Sequence, residues 1–175
     1  MQNRKKIFAI IGSASENSAN EKLISFLKTN HLDFDFTIFT GLKKLPHFDP
    51  ELSLTNPPDQ IIEFRNSIEK ANGIIICTPE YVFSIPSGLK NAIEWCIATT
   101  IFENKPTALI TASAHGQKAH EELQLIMKTV SANFTTATTL LIQGIKGKVN
   151  LQGGVVDIST GEALNKLFTS LISLL

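Results

Sequence analysis

Between Gly73 and Trp95 the chain reads GIIICTPEYVFSIPSGLKNAIEW, and this stretch constrains the fold more than any other. The apolar run Ile74-Ile75-Ile76-Cys77 stops abruptly at Thr78-Pro79-Glu80-Tyr81. A short continuous apolar run bounded by turn residues is the pattern of a strand buried on both faces of a parallel sheet. A loop carrying Phe83 and Ser84 follows, and Pro86 then leads into a helical pattern over Leu89 to Trp95. In such sheets ligands sit just beyond the carboxyl ends of the strands. Thr78 to Ser87 is therefore where a site is expected.

The rest of the chain repeats the same alternation. Lys5 to Ile11 is a second short apolar run, ending in the small polar loop Gly12 to Asn20. A helix follows, with Leu23, Ile24, Phe26 and Leu27 on its apolar face and either Ser18 or Asn20 as its N-cap. Such a loop is either an anion site at the positive end of a helix or an ordinary strand-to-helix turn. Phe34 to Phe39 alternates apolar and polar residues, as an edge strand does. The segment from Leu45 to Pro58 reads as one long irregular connection, a length usually functional or interfacial. Ile61, Ile62, Phe64, Ile68 and Ala71 mark the next helix, Pro106 to Ala112 the fourth strand, and Thr136 to Ile142 the fifth. Ser113 to Lys118 leads into a helix through Leu123 and Met127. Lys146 to Ser159, with Gly153-Gly154, reads as irregular, and a final amphipathic helix opens at Thr160.

Strands alternating with helices predict a single α/β domain over 1–175: a three-layer sandwich whose five-stranded parallel sheet is covered on both faces. The loops after strands one, three and four then gather at one edge, giving a crevice lined by Gly12–Asn20, Thr78–Ser87 and Ser113–Lys118. That lining is neutral to polar with aromatics and suits a flat ring bearing a phosphate. It holds no cluster of acids or histidines, so neither two-carboxylate nor metal chemistry is expected. His115, His47 and His120 read as surface residues. A formal net charge of zero with no basic run disfavours nucleic acid as a partner. No apolar run approaches the roughly 20 residues of a membrane span, and the N-terminus has no signal pattern. Cys77 and Cys96, both in apolar surroundings, predict buried free thiols and a reducing, cytoplasmic setting.

Three segments of this chain resemble the NADPH-dependent FMN reductases, a flavodoxin-like family that includes quinone, azo-dye and chromate reductases. Gly12-Ser13-x-x-x-x-Ser18-x-Asn20 resembles the family's phosphate loop, and Leu45-Pro46-x-Phe48-Asp49-Pro50-x-Leu52 its connection after the second strand. Thr78-Pro79-Glu80-Tyr81 through Ser84-Ile85-Pro86 to Leu89–Trp95 is close to its signature and is the most specific of the three. The resemblance implies sheet order 2-1-3-4-5, FMN as cofactor and NADPH or NADH as co-substrate. It also implies ping-pong hydride transfer to a small-molecule electron acceptor such as a flavin, quinone or azo compound. Ser13, Ser15, Ser18 and Asn20 would then border the phosphate. Pro79, Glu80, Tyr81, Val82 and Phe83 would line the ribityl chain and ring, and Ser113, His115 and Gly116 would close the other side. Because the cofactor carries the chemistry, no acid–base residue is implied. The helix from Leu89 to Trp95 would form a homodimer contact, with dimers or tetramers as the assembly.

The chain also departs from the family pattern. Ser15 stands where the family has arginine, Val82 where asparagine follows the tyrosine, and Ala114-His115-Gly116-Gln117-Lys118 where several glycines are usual. These departures motivate a second reading from another class: a flavodoxin-like protein that has lost firm FMN binding and serves as an interaction module. Lys118 or His115 is the sequence's candidate for a replacement positive charge. A third reading, a one-electron carrier of the flavodoxin type, is disfavoured by the zero net charge.

Overall fold

A computed structural model describes residues 4–150, 152 and 154–175. In chain order its principal elements are β1 (Lys6–Ile11), α1 (Ala19–Asn30), β2 (Asp35–Phe39), α2 (Pro50–Thr55), α3 (Asp59–Lys70) and β3 (Gly73–Thr78). They continue with α4 (Ser87–Glu94), β4 (Thr107–Ser113), α5 (Gln117–Thr129), β5 (Thr139–Gln143) and α6 (Ile158–Ile172). The five strands form one sheet in the order β2-β1-β3-β4-β5, and every pairing is parallel. This is the expected flavodoxin-like architecture, with β2 at the edge.

The period-two alternation of side chains sorts the sheet's residues onto two cores. Ile7, Ala9, Ile11, Ile75, Cys77 and Ile110 face α1 and α6, where Leu23, Leu27, Leu164 and Phe168 meet them. Phe8, Ile10, Ile74, Ile76 and Leu109 face the opposite layer, packing on Phe64, Leu89, Ile93 and Leu123. Both faces of β3 are buried along its whole length, which explains its unbroken apolar run. Among the described residues no helix is long and apolar enough to cross a membrane.

Three readings need correction. Thr136 to Thr138 is a 3₁₀ turn and not part of the fifth strand, because the Thr138 hydroxyl closes a capping box with Thr135. Its β-branched composition imitates a strand, but the local side-chain hydrogen bonds win. The long connection after β2 is largely regular: a 3₁₀ turn at Leu42–Lys44 and then α2, with Asp49 as N-cap accepting from the amides of Glu51 and Leu52. The final helix starts at Ile158, capped by Asp157, two residues before Thr160. Of the segment preceding it, Gly153 lies outside the described residues.

Helix α4 turns its apolar side inward. Leu89, Ala92, Ile93, Trp95 and Cys96 are buried within their own chain, leaving Lys90 and Ile97 exposed. The apolar side of the helix thus contributes to this domain's core.

Candidate functional site

The site is built where the sheet's carboxyl edge brings loops together. Gly12 directly follows β1, and its amide donates to the Cys77 carbonyl at 2.8 Å. A Cβ at this position would lie 2.3 Å from Thr78 Oγ1, so only glycine lets the loops after β1 and β3 approach this closely. In the loop that follows, the Ser15 amide donates to Ser13 Oγ at 3.2 Å, and Asn17 takes a left-handed backbone with φ of 51°. Ser18 is the N-cap, accepting from the Glu21 amide at 3.2 Å. Asn20 is buried instead: its Nδ2 donates to the Ala112 carbonyl, and its Oδ1 accepts from the Cys77 thiol, both at 3.3 Å. It ties α1 to the two central strands, and its side chain is spent on that task.

The loop after β3 closes in a two-residue turn. Tyr81 and Ser84 exchange backbone hydrogen bonds at 2.9 and 3.0 Å, with Val82 and Phe83 between them at φ of 51° and 58°. Two consecutive positive φ values belong to a type I′ turn, normally occupied by Asn-Gly. Here two large apolar residues occupy it, 94% and 76% exposed. The turn is pinned on both sides. Glu80 reaches across to the start of α5, its carboxylate accepting from the amides of Gly116 at 3.2 Å and Ala119 at 3.0 Å. In return, Glu122 of α5 accepts from Ser84 Oγ at 2.6 Å and the Ile85 amide at 2.8 Å. Glu80 thus neutralises the positive end of α5, a role its sequence position alone does not disclose.

Two adjoining cavities open beside the first loop. One, about 350 Å³, is bordered by Gly12, Ser13, Lys43, Tyr81, Gly88 and Asn91 among others. The other, about 400 Å³, lies between Ser13–Asn17 and the turn after β2, including Thr40, Lys43 and Lys44. Ser13, Ala14 and Lys43 border both. The third wall is therefore the connection after β2, which the sequence reading left out. The strand order contains the signal: β2 pairs with β1, so the turn after one must lie beside the loop after the other.

This wall is anchored by α4. Asn91 accepts from the Phe48 amide at 2.7 Å and donates to the Pro46 carbonyl at 2.9 Å. Trp95 Nε1 donates to the same carbonyl at 2.8 Å, and its ring meets Phe48 edge-on at 5.5 Å. Arg65, from α3, donates to the Trp95 carbonyl and to Ser53 of α2, completing the scaffold.

Of the expected site residues, Ser13 and Ser15 line these cavities, as does Tyr81, and Ser18 holds the helix start behind them. Pro79 is buried, whereas Val82 and Phe83 project outward. Ser113 ends β4, His115 and Gly116 lie on the loop after it, and none of the three borders either cavity. Gly116 sits at the start of α5 with φ of 84°, and His115 is exposed. Lys118, the sequence's candidate positive charge, pairs with Glu121 at 2.9 Å.

His120 is half-buried and not a surface residue, its Nδ1 lying 3.0 Å from Thr111 Oγ1. Burial lowers its pKa below the ordinary 6.5, against a smaller opposing pull from Glu121. The unfolded chain then binds this proton more readily than the folded one, so stability falls as pH drops from about 6.5 toward the lowered value. Asp157, held below the usual carboxylate range by hydrogen bonds from Thr160 and Ser159, adds a second loss below about 3.8. Urea midpoints between pH 7 and pH 5 are expected to decline in the wild type. The first decline should flatten in His120→Asn, and an unchanged slope in that variant would refute the assignment. Cys77 and Cys96 are both buried free thiols, as expected. Burial raises the pKa of each, that of Cys96 to about 12, so neither is a ready nucleophile.

This geometry can be set against known proteins. Residues 5–145 match the family described as NADPH-dependent FMN reductase. A 2-hydroxy-1,4-benzoquinone reductase of Burkholderia is 32% identical, over 91% of this chain and 90% of that protein. NADH-dependent flavin reductase subunit 2 of Lactobacillus johnsonii is 29% identical, over 95% of both chains. Among solved structures, the flavoenzyme NAD(P)H:(acceptor) oxidoreductase FerB of Paracoccus denitrificans superposes with a TM-score of 0.84 at 24% identity. That match covers 97% of this chain and 96% of that one and supports the fold. With a family match spanning most of its length and a relative above 30% identity, the chain belongs to the NADPH-dependent FMN reductase family.

Proposed function

We propose that the protein binds FMN at the edge described above and passes electrons from a reduced nicotinamide to a small planar acceptor of the quinone or flavin class. It is an oxidoreductase of its family, with FMN as cofactor and NAD(P)H as co-substrate. The acceptor class follows the names of its relatives, a benzoquinone reductase and a flavin reductase. The single observation that carries the site assignment is the pair of joined cavities around Ser13 and Lys43, framed by a helix N-terminus on one side and Tyr81 on the other.

The residues fit a phosphate-bearing ring. Hydroxyls at Ser13 and Ser15 and the amides around the start of α1 offer donors to an anion. Gly12 and Gly88 bring backbone close to the cavity, and Tyr81 supplies an aromatic wall. When bound, FMN supplies the two-electron chemistry. The protein's share is to hold the ring at an open edge and to give its phosphate a fixed seat. The reading of an interaction module without FMN is not favoured, given the breadth of the family match.

Two further proposals concern the setting. A homodimer is supported by the apolar hollow of about 460 Å³ beside exposed Ile97, formed with Ile126 and Val130. A cytoplasmic location is supported by the two reduced, buried thiols. Titration of the purified protein with FMN, followed by flavin fluorescence quenching, tests the central assignment. Saturable binding with NAD(P)H oxidation on adding a quinone is the expected result. Protein that stays colourless and binds no FMN at millimolar concentration would overturn it.

A further inference from the structure

We infer that Lys43, from the 3₁₀ turn after β2, is the cation that neutralises the flavin's phosphate, and that it sets the preference for FMN over the dephosphorylated flavin. This rests on the FMN reading above. The loop Gly12–Asn20 contains no basic residue, and Glu16 is its one charged member. Amides and hydroxyls can orient a phosphate there, but a dianion is held far better by a charge-assisted hydrogen bond. The cation must come from another element.

Lys43 and Lys44 are the lysines that border these two cavities, and several other lysines and arginines around the fold are committed or remote. Lys22 donates to the Asn150 carbonyl at 2.8 Å, and Lys148 pairs with Asp157. Lys118 pairs with Glu121, and Lys105 donates to the carbonyls of Glu69 and Ala71. Arg65 is spent on the Trp95 carbonyl and Ser53. Arg4, Lys5 and Lys6 stand at or before the start of β1, at the opposite edge of the sheet. Lys43 and Lys44 are exposed, and among the described residues neither forms an ion pair. Both border the cavity formed with Ser13 to Asn17, yet only Lys43 also borders the cavity that reaches Tyr81.

Position follows from topology. Ile10 of β1 is in register with Phe39 of β2, so the turn after β2 lies directly beside the phosphate loop. Leu42 anchors that turn in the core, leaving exposed Lys43 at the border of both cavities. Glu16 and Glu21 line the same outer cavity. The wall's formal charges therefore cancel, and attraction has to come from direct contact with one ammonium group instead of a general positive field.

The test compares two ligands that differ only in the phosphate. Dissociation constants for FMN and for riboflavin are measured by fluorescence quenching on the wild type and on Lys43→Gln, Lys44→Gln and Lys43→Gln combined with Ser15→Arg. Lys43→Gln should weaken FMN by about tenfold to a hundredfold, while riboflavin changes by less than about twofold and thermal stability stays put. Lys44→Gln should leave both nearly unchanged. Because Ser15 borders the same cavity, a guanidinium placed there should restore FMN binding to the Lys43 variant. Equal weakening of FMN and riboflavin would overturn the assignment, as would FMN binding that ignores Lys43. Wild-type protein that binds neither flavin overturns the cofactor reading itself, and the lysine's role with it.

Discussion

Replacing Trp95 with alanine is expected to lower the free energy of unfolding by about 3–5 kcal/mol, the range for emptying a fully buried aromatic site. Trp95 is wholly inaccessible to solvent, and three interactions converge on it. Its indole donates to Pro46, its ring packs edge-on against Phe48, and its carbonyl takes the Arg65 guanidinium. Trp95→Phe separates the contributions. It keeps most of the burial but leaves the half-buried Pro46 carbonyl to Asn91 alone, at a cost of about 0.5–1.5 kcal/mol for the lost hydrogen bond. Because this connection forms the cavity wall, Trp95→Phe should also weaken FMN binding without touching the ligand. Urea denaturation followed by circular dichroism checks the first effect, since the chain's single tryptophan is the residue removed. A loss below about 1.5 kcal/mol in Trp95→Ala would show that the helix does not depend on this contact.

The opposite sign is expected at the turn after β3. Val82 and Phe83 hold left-handed backbone conformations that cost L-residues about 1–2 kcal/mol each, most severely at a β-branched valine. Their side chains are largely exposed, so removing them forfeits little burial. The double variant Val82→Asn, Phe83→Gly installs the pair this turn geometry favours. Glycine's extra freedom in the unfolded chain returns about 0.5–1 kcal/mol of that gain. The net expectation is a stabilisation of about 1–2 kcal/mol, a rise of about 2–8 °C in Tm for a chain of this size. A melting temperature that stays level or falls would mean that the turn carries no strain. Such strain persists only where the surroundings over-determine the backbone, and the Glu80 and Glu122 clamps on either side do so.

These two cases show what the sequence disclosed and what it withheld. Strand identity and the edge carrying the candidate site were legible because each central strand is a short apolar run that only a two-sided core explains, whereas the strand order came from the family resemblance. The N-terminal half of the loop after β1 was legible for the same reason, since Gly12-Ser13 follows such a run. The roles of Asn20 and Glu80 were not. Both are polar residues in the right loops, and only the placement of β4 and α5 reveals that Asn20 ties strands together and Glu80 caps a helix. The wall after β2 lay within reach, as Asp49-Pro50 is a recognisable helix start and the strand order puts Lys43 beside Ser13. The one-sided apolar pattern of α4 was legible as a covered face, and the structure packs that face into this domain's own core. Periodicity says that a face is covered, not by whom.

The Glu80 clamp also settles a competition among helix ends. The helices α1, α4 and α5 all begin at this edge of the sheet, and each offers a partial positive charge to whatever anion arrives. At α5 the chain supplies its own occupant: a carboxylate already sits on the Gly116 and Ala119 amides, where an external anion would otherwise compete. A phosphorylated ligand entering here does not have to choose among equivalent seats. One of them is taken by the protein itself, which leaves the start of α1 as the open seat for the phosphate in the binding mode proposed above.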